Sequence, residues 1–178
     1  ILTFIPSLRS SLENNQLLEK IFFDLKAKSM NSTLIGLTSG FYDLDSLTQG
    51  FQKSDLIVVA GRPSMGKTAF VLNITSHVLK YSKFPVLFFS LEMSKEQILY
   101  RLLGIEMDIN QINLRSGKLG KEEWLKLNQV IKIISKLPLF VDDNFNLSIE
   151  DSRSKIKSVI FEQNDIGLVI IDYIQLMQ

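Results

Sequence analysis

Apolar residues recur at helical spacing from Leu12 to Lys28: Leu12, Leu17, Leu18, Ile21, Phe22 and Leu25 interleave with Glu13, Glu19, Lys20 and Lys26. That pattern predicts an amphipathic helix. A lone helix cannot bury its own apolar stripe, so it docks either on its own domain or on a neighbouring subunit. Ser29 to Gly40 turns to Ser, Thr, Asn and Gly and reads as a linker or long loop. Beyond it the pattern changes to short, continuous apolar runs at Leu56 to Ala60, Val86 to Phe89, Leu139 to Val141 and Leu168 to Ile171. Strands covered by helices on both faces look like this. Helical patterns lie between them at Lys67 to Tyr81, Lys95 to Leu103, Lys121 to Lys136 and Ile149 to Glu162. Ser94 is placed to cap the second of these and Gly104 to stop it. Pro138 forbids extension of the third. Strand–helix alternation of this kind predicts an α/β fold with a parallel sheet.

Composition narrows the class without naming a chemistry. The 178 residues are 46% hydrophobic and 22% charged, the balance of one ordinary folded domain. No apolar stretch reaches the roughly 18 residues that span a bilayer. Twenty basic residues against 19 acidic ones leave a net charge of +1, which gives no electrostatic hint of nucleic acid. The absence of cysteine excludes disulfides and thiolate metal sites. Ile1 to Ile5 lacks a basic flank and a long apolar run, so it is not a secretory signal. A start at Ile1 without methionine and an end at Gln178 read as a piece of a longer protein.

The sharpest chemical signal is Gly61-Arg62-Pro63-Ser64-Met65-Gly66-Lys67-Thr68. It fills every fixed position of the phosphate-binding loop G-x-x-x-x-G-K-[ST]. Glycines let successive backbone N–H groups converge on phosphate oxygens. The helix starting near Lys67 points the positive end of its dipole at the same anion. Lys67 supplies a mobile charge for the outer phosphates, and the Thr68 hydroxyl suits Mg²⁺. The motif needs a strand before it and a helix after it, which Leu56 to Ala60 and Ala69 to Tyr81 are expected to supply.

Two carboxylates extend the constellation. Asp172 ends the run Leu168-Val169-Ile170-Ile171, as when a buried strand delivers an acid beside Mg²⁺. Glu92 follows Phe88-Phe89-Ser90-Leu91 at another strand end. Strand C-termini of a parallel sheet share the ligand-binding edge, so both acids are expected to face the phosphates. An acid not engaged by the metal can orient and deprotonate an attacking water.

Together these residues resemble the bacterial and plastid DnaB-type replicative helicases, whose motor is a RecA-like P-loop ATPase. The resemblance is carried by Thr38-Ser39-Gly40-Phe41-Tyr42-Asp43-Leu44-Asp45 with Gly50-Phe51, and then by Gly61 to Phe70. It continues in Phe89-Ser90-Leu91-Glu92-Met93-Ser94, Glu123-Trp124, Pro138 to Asp143, and Ile171-Asp172-Tyr173-Ile174-Gln175-Leu176-Met177. It implies a mostly parallel sheet flanked by helices, with residues 1–36 a linker helix and loop. Residues 37–178 would be a partial RecA-like domain ending after the acidic Asp172 strand.

The resemblance further implies that Gly61, Arg62, Pro63, Ser64, Met65, Gly66, Lys67 and Thr68 hold ATP. Glu92 would be the catalytic base, Thr68 and Asp172 the Mg²⁺-associated pair, and Lys67 a catalytic phosphate ligand. Arg101 sits where the family places an arginine against the nucleotide base; a solvated helix-face charge is the alternative. Implied partners are single-stranded or forked DNA, a homo-hexamer formed through the linker helix, and primase and loader proteins. The implied location is the bacterial cytoplasm or plastid stroma, without a membrane. A primase-contacting domain before Leu12 is not recognisable. The DNA-binding loops, sensor and arginine finger that follow the family's equivalent of Met177 are not in this sequence. Two other readings remain: a nucleotide-binding or ring-contact fragment without turnover by itself, and another RecA-fold, recombinase-type ATPase.

Three further features read as structural. His77, the single histidine, reads as a surface or packed residue rather than a metal ligand. Asp142 and Asp143 read as strand-end and turn residues, since adjacent strand positions face opposite ways. Trp124, among Leu125, Leu127 and Val130, reads as packing rather than as a base-stacking platform.

Overall fold

The computed structural model describes residues 11–30 and 36–177. Contacts divide the chain into two units, Ile1–Ile35 and Gly36–Gln178. The first contains helix α1, Ser11–Met30, where the amphipathic pattern predicts one. Its Leu17, Leu18, Ile21, Phe22 and Phe23 are exposed. Ile1 to Ile5 and residues 31–35 of the expected linker lie outside the described residues.

The second unit is built on a parallel sheet of β1 (Val86–Ser90), β2 (Leu139–Asp142) and β3 (Leu168–Asp172), in the order β2-β1-β3. Val86 pairs with Leu139 on one side and Leu168 on the other, and the register runs unbroken to Ser90 opposite Asp172. Parallel neighbours require crossover connections. Helices α4 (Lys95–Met107), α5 (Gln111–Ser116) and α6 (Lys121–Ile134) carry the chain from β1 to β2. Helix α7 (Ile149–Gln163) carries it from β2 to β3.

Alternation along β1 fills two cores. Val86 and Phe88 pack with Leu72, Ile74, Val78 and Leu79 on one face, while Leu87 and Phe89 meet Leu147 and Val159 of the opposite layer. Leu72 and Ile74 belong to α3 (Lys67–His77), which passes into a π-helical turn at Val78–Ser82. A third cluster, Met107, Leu114 and Val130, joins α4, α5 and α6. Ahead of α3, Gly36 to Phe51 folds back on itself through the Leu37–Phe51 bridge around α2 (Tyr42–Thr48). Buried Asp45 holds that turn by accepting from the N–H groups of Ser39 (2.8 Å) and Gly40 (3.2 Å). Phe41 stacks on Phe70 of α3 at 4.9 Å, tying the segment to the helix that follows the phosphate loop.

Several expectations change. Leu56 to Ala60 forms no strand: it pairs with no described strand and leaves Leu56 88% and Val58 79% exposed. Hydrophobic pattern reports a preference for burial, whereas a strand also needs a neighbour's backbone groups. Gly104 does not stop α4, which continues to Met107 and closes with left-handed Asp108. Gly104 is buried where a Cβ would lie 3.3 Å from the Gln111 side chain and 3.4 Å from the Ile109 carbonyl, so glycine packs closely against the turn into α5. Regular α-helix in α3 ends at His77 rather than Tyr81. Trp124 is 52% exposed; Leu127 and Val130 take the packing positions on α6. The short helices α2 and α5 were not predicted.

Fully buried Phe88 at the sheet centre and Phe161, 88% exposed on α7, make a contrasting pair. Phe88→Ala is expected to cost about 3–5 kcal/mol in urea denaturation, against under about 0.5 kcal/mol for Phe161→Ala. Equal costs would contradict this assignment of the core.

Candidate nucleotide site

The phosphate loop is exposed from Gly61 to Gly66, and α3 begins immediately after it. A turn forms at its start, where the Met65 N–H donates to the Arg62 carbonyl at 3.3 Å. Ser64 and Gly66 both adopt left-handed backbone, φ 64 and φ 85. Gly66 is the N-cap of α3, and only glycine takes that conformation without a Cβ penalty. Residues of this kind turn successive N–H groups to one side, forming an anion-binding concavity at the helix start. Lys67 folds back over the loop, its Nζ donating to the carbonyls of Gly61 (3.0 Å) and Arg62 (3.4 Å).

Thr68 faces the sheet. Its hydroxyl donates to Asp172 Oδ2 at 2.8 Å across 104 residues of sequence. Asp172 is the last residue of β3 and stands in register with Ser90, the last residue of β1. The Leu91 N–H donates to the Asp172 carbonyl at 2.8 Å, so the two strand ends stay joined one residue past the ladder. Glu92 follows on an exposed turn. Thr68, Asp172 and the Glu92 turn thus meet at the C-terminal edge of the sheet, where α/β folds bind ligands.

The Thr68 and Asp172 oxygens are the hard donors that Mg²⁺ prefers, and Mg²⁺ commonly takes one or two protein oxygens plus substrate phosphates. Among the described residues, no group of three or more acidic, histidine or cysteine side chains converges as an all-protein metal cage. The donor set fits a metal that arrives with a nucleotide.

Arg101 lies on α4 with its Nε buried and lacking a hydrogen-bond partner. Among the described residues no hydrogen bond or ion pair links it to the phosphate loop. His77 is engaged through Nε2 with the Thr38 hydroxyl at 3.0 Å and packs on Tyr81. Asp142 closes β2 and pairs with Lys155. Asp143 accepts from the Lys95 N–H, the first of α4, at 2.8 Å. That contact was not predicted; it depends on β2 lying beside β1, which no motif announces. Buried Ser90, whose hydroxyl donates to the Met93 carbonyl at 2.7 Å, was likewise read only as part of a motif.

Thr68→Val keeps the side-chain shape and removes the hydroxyl. Loss of a hydrogen bond to a half-buried carboxylate is expected to lower ligand-free stability by about 1–2 kcal/mol. The thermal unfolding midpoint checks it; an unchanged midpoint would mean that the bond contributes nothing.

Comparison with known proteins adds a family to this geometry. Residues 36–178 match the profile of the DnaB-like helicase C terminal domain. A probable replicative DNA helicase of Trieres chinensis is 64% identical over 91% of this chain. The replicative DNA helicase DnaB of Nostoc sp. is 47% identical over 88% of it. The chain spans 36% of the first relative's length and 18% of the second's. Among solved structures, the ATPase domain of G40P superposes with a TM-score of 0.83 at 29% identity, covering 92% of this chain and 58% of that one. A DnaB-like replicative helicase, described with its interactions with primase, superposes with a TM-score of 0.79 at 28% identity over 97% of this chain and 40% of its own.

Proposed function

The chain belongs to the DnaB-like helicase C-terminal domain family and has its RecA-like fold, and from that premise we propose that it is the ATP-binding part of a replicative helicase motor. The observation that carries the reading is the Thr68–Asp172 hydrogen bond. It joins the phosphate loop to the acidic strand end, as an Mg²⁺-nucleotide site requires. In the full-length protein the activity would be ATP hydrolysis coupled to movement on single-stranded DNA and to duplex unwinding.

The residues divide the work by chemistry. Left-handed Ser64 and Gly66 and the start of α3 present N–H groups to phosphate. Lys67 exchanges its two carbonyl partners for β- and γ-phosphate oxygens. Thr68 and Asp172 would hold Mg²⁺, which when bound offsets charge on the β- and γ-phosphates. Glu92, beside Asp172 on the neighbouring strand end, would orient the attacking water and accept its proton as the water oxygen bonds to the γ-phosphorus while the bond from that phosphorus to the β–γ bridging oxygen breaks, releasing ADP. Arg101 would lie against the base, where a planar guanidinium can stack; its unpartnered Nε is compatible with a ligand contact.

The wider reading follows from the relatives: a homo-hexamer in which α1 docks on the adjacent subunit, forked DNA as substrate, and primase and loader as partners. Exposed apolar residues along α1 support an intermolecular role for that helix. Bacterial cytoplasm or plastid stroma is the proposed location, and no helix among the described residues is long and apolar enough to cross a membrane. A second reading concerns the chain by itself. The exposed phosphate loop and the unladdered run before it favour binding without efficient turnover.

In the full-length protein, Lys67→Ala and Glu92→Gln are each expected to reduce steady-state ATP hydrolysis by at least about a hundredfold. Glu92→Gln should retain nucleotide binding, while Lys67→Ala weakens it. Wild-type hydrolysis by Glu92→Gln would remove the assignment of the base. Strand exchange without fork unwinding by the full-length protein would favour a recombinase-type enzyme. Calorimetry and phosphate release on the 178 residues alone should show nucleotide binding with negligible hydrolysis.

A further inference from the structure

The turn that presents Glu92 is held at three points, and none of them is Glu92 itself. Before it, the Leu91 N–H donates to the Asp172 carbonyl at 2.8 Å. Beneath it, the hydroxyl of Ser90, 1% exposed, donates to the Met93 carbonyl at 2.7 Å. After it, the Lys95 N–H donates to Asp143 Oδ2 at 2.8 Å. Among the described residues the Glu92 side chain makes no hydrogen bond or ion pair and is exposed. Its backbone is fixed while its carboxylate is left available.

The third contact is not explained by helix capping alone. The first N–H groups of a helix lack intrahelical partners, and α4 already has a capping box. The Ser94 hydroxyl accepts from the Gln97 N–H at 3.3 Å, and the Gln97 side chain accepts from the Ser94 N–H at 3.2 Å. The box leaves the Lys95 N–H unserved, and the acceptor comes from the tip of β2, 48 residues away. A carboxylate there also complements the positive end of the α4 dipole. It couples the start of α4, and hence the Glu92 turn, to the sheet edge that carries Asp172.

The geometry points to Asp143 as a positioning residue for Glu92, with Ser90 as its buried counterpart. This inference rests on the reading of Glu92 as the base. Asp143 has no role in holding nucleotide; it sets where the Glu92 carboxylate stands relative to the attacking water. Misplacement of a reacting group by about 1 Å can cost up to a hundredfold in rate, and a partly redundant clamp should cost less.

The test uses the full-length protein. Asp143→Ala is expected to lower kcat for ATP hydrolysis about tenfold while KM for ATP stays within about twofold. Asp143→Asn keeps an acceptor oxygen and should recover most of the loss. In a Glu92→Gln background, single-turnover hydrolysis should show no further loss from Asp143→Ala, because a residue acting through Glu92 has nothing left to position. Unchanged kcat in Asp143→Ala, failure of Asp143→Asn to recover it, or an equal loss beside Glu92→Gln would each overturn the inference. An active Glu92→Gln single variant would instead remove the base assignment, a result read separately.

Discussion

Parallel pairing on both sides of β1 is the constraint from which the rest of the second unit follows. Three strands running the same way place their C-terminal ends on one edge. Glu92, Asp143 and Asp172 therefore come from the ends of three different strands yet belong to one rim. Carboxylates do not gather by mutual attraction; like charges repel. Ladder hydrogen bonds and the two apolar layers under Phe88 and Phe89 supply the stability that holds the acids there.

Much of this was legible in the sequence because the relevant signals are local. Val86 to Phe89 is an uninterrupted apolar run that both faces of the sheet require, and Ser94 caps α4 as predicted, with Gln97 completing a capping box. Spacing alone exposed the phosphate loop, whose residues are contiguous. What escaped was non-local or too short. Helices α2 and α5, with 7 and 6 residues, complete too few turns to show a period. The hold of Asp143 on α4 depends on strand order, which periodicity does not encode. Gly104 carried the signature of a helix stop, but a glycine's small volume served helix–turn contact instead. Leu56 to Ala60 carried the composition of a strand without a described neighbour to pair with.

The site also balances fixed and available groups. Thr68 is anchored to the sheet, so the first turn of α3 has a defined place. Lys67 is only parked on its own loop, with its ammonium solvated by two carbonyls. Moving it to a phosphate oxygen exchanges neutral acceptors for charged ones, and charge-assisted hydrogen bonds are the stronger kind. The loop carbonyls it releases are exposed and can turn to water, so the exchange strands no buried polar group.

The exposed run from Leu56 to Val59 bears on how the chain behaves in company. Its backbone is in no ladder, and Leu56 and Val58 are largely exposed; exposed apolar runs of this kind are surfaces that other segments tend to cover. Lys53 and Asp55 before it and Arg62 after it flank the run with charge. In this chain the run leaves apolar surface uncovered, and covering Leu56 and Val58 would remove that surface from water.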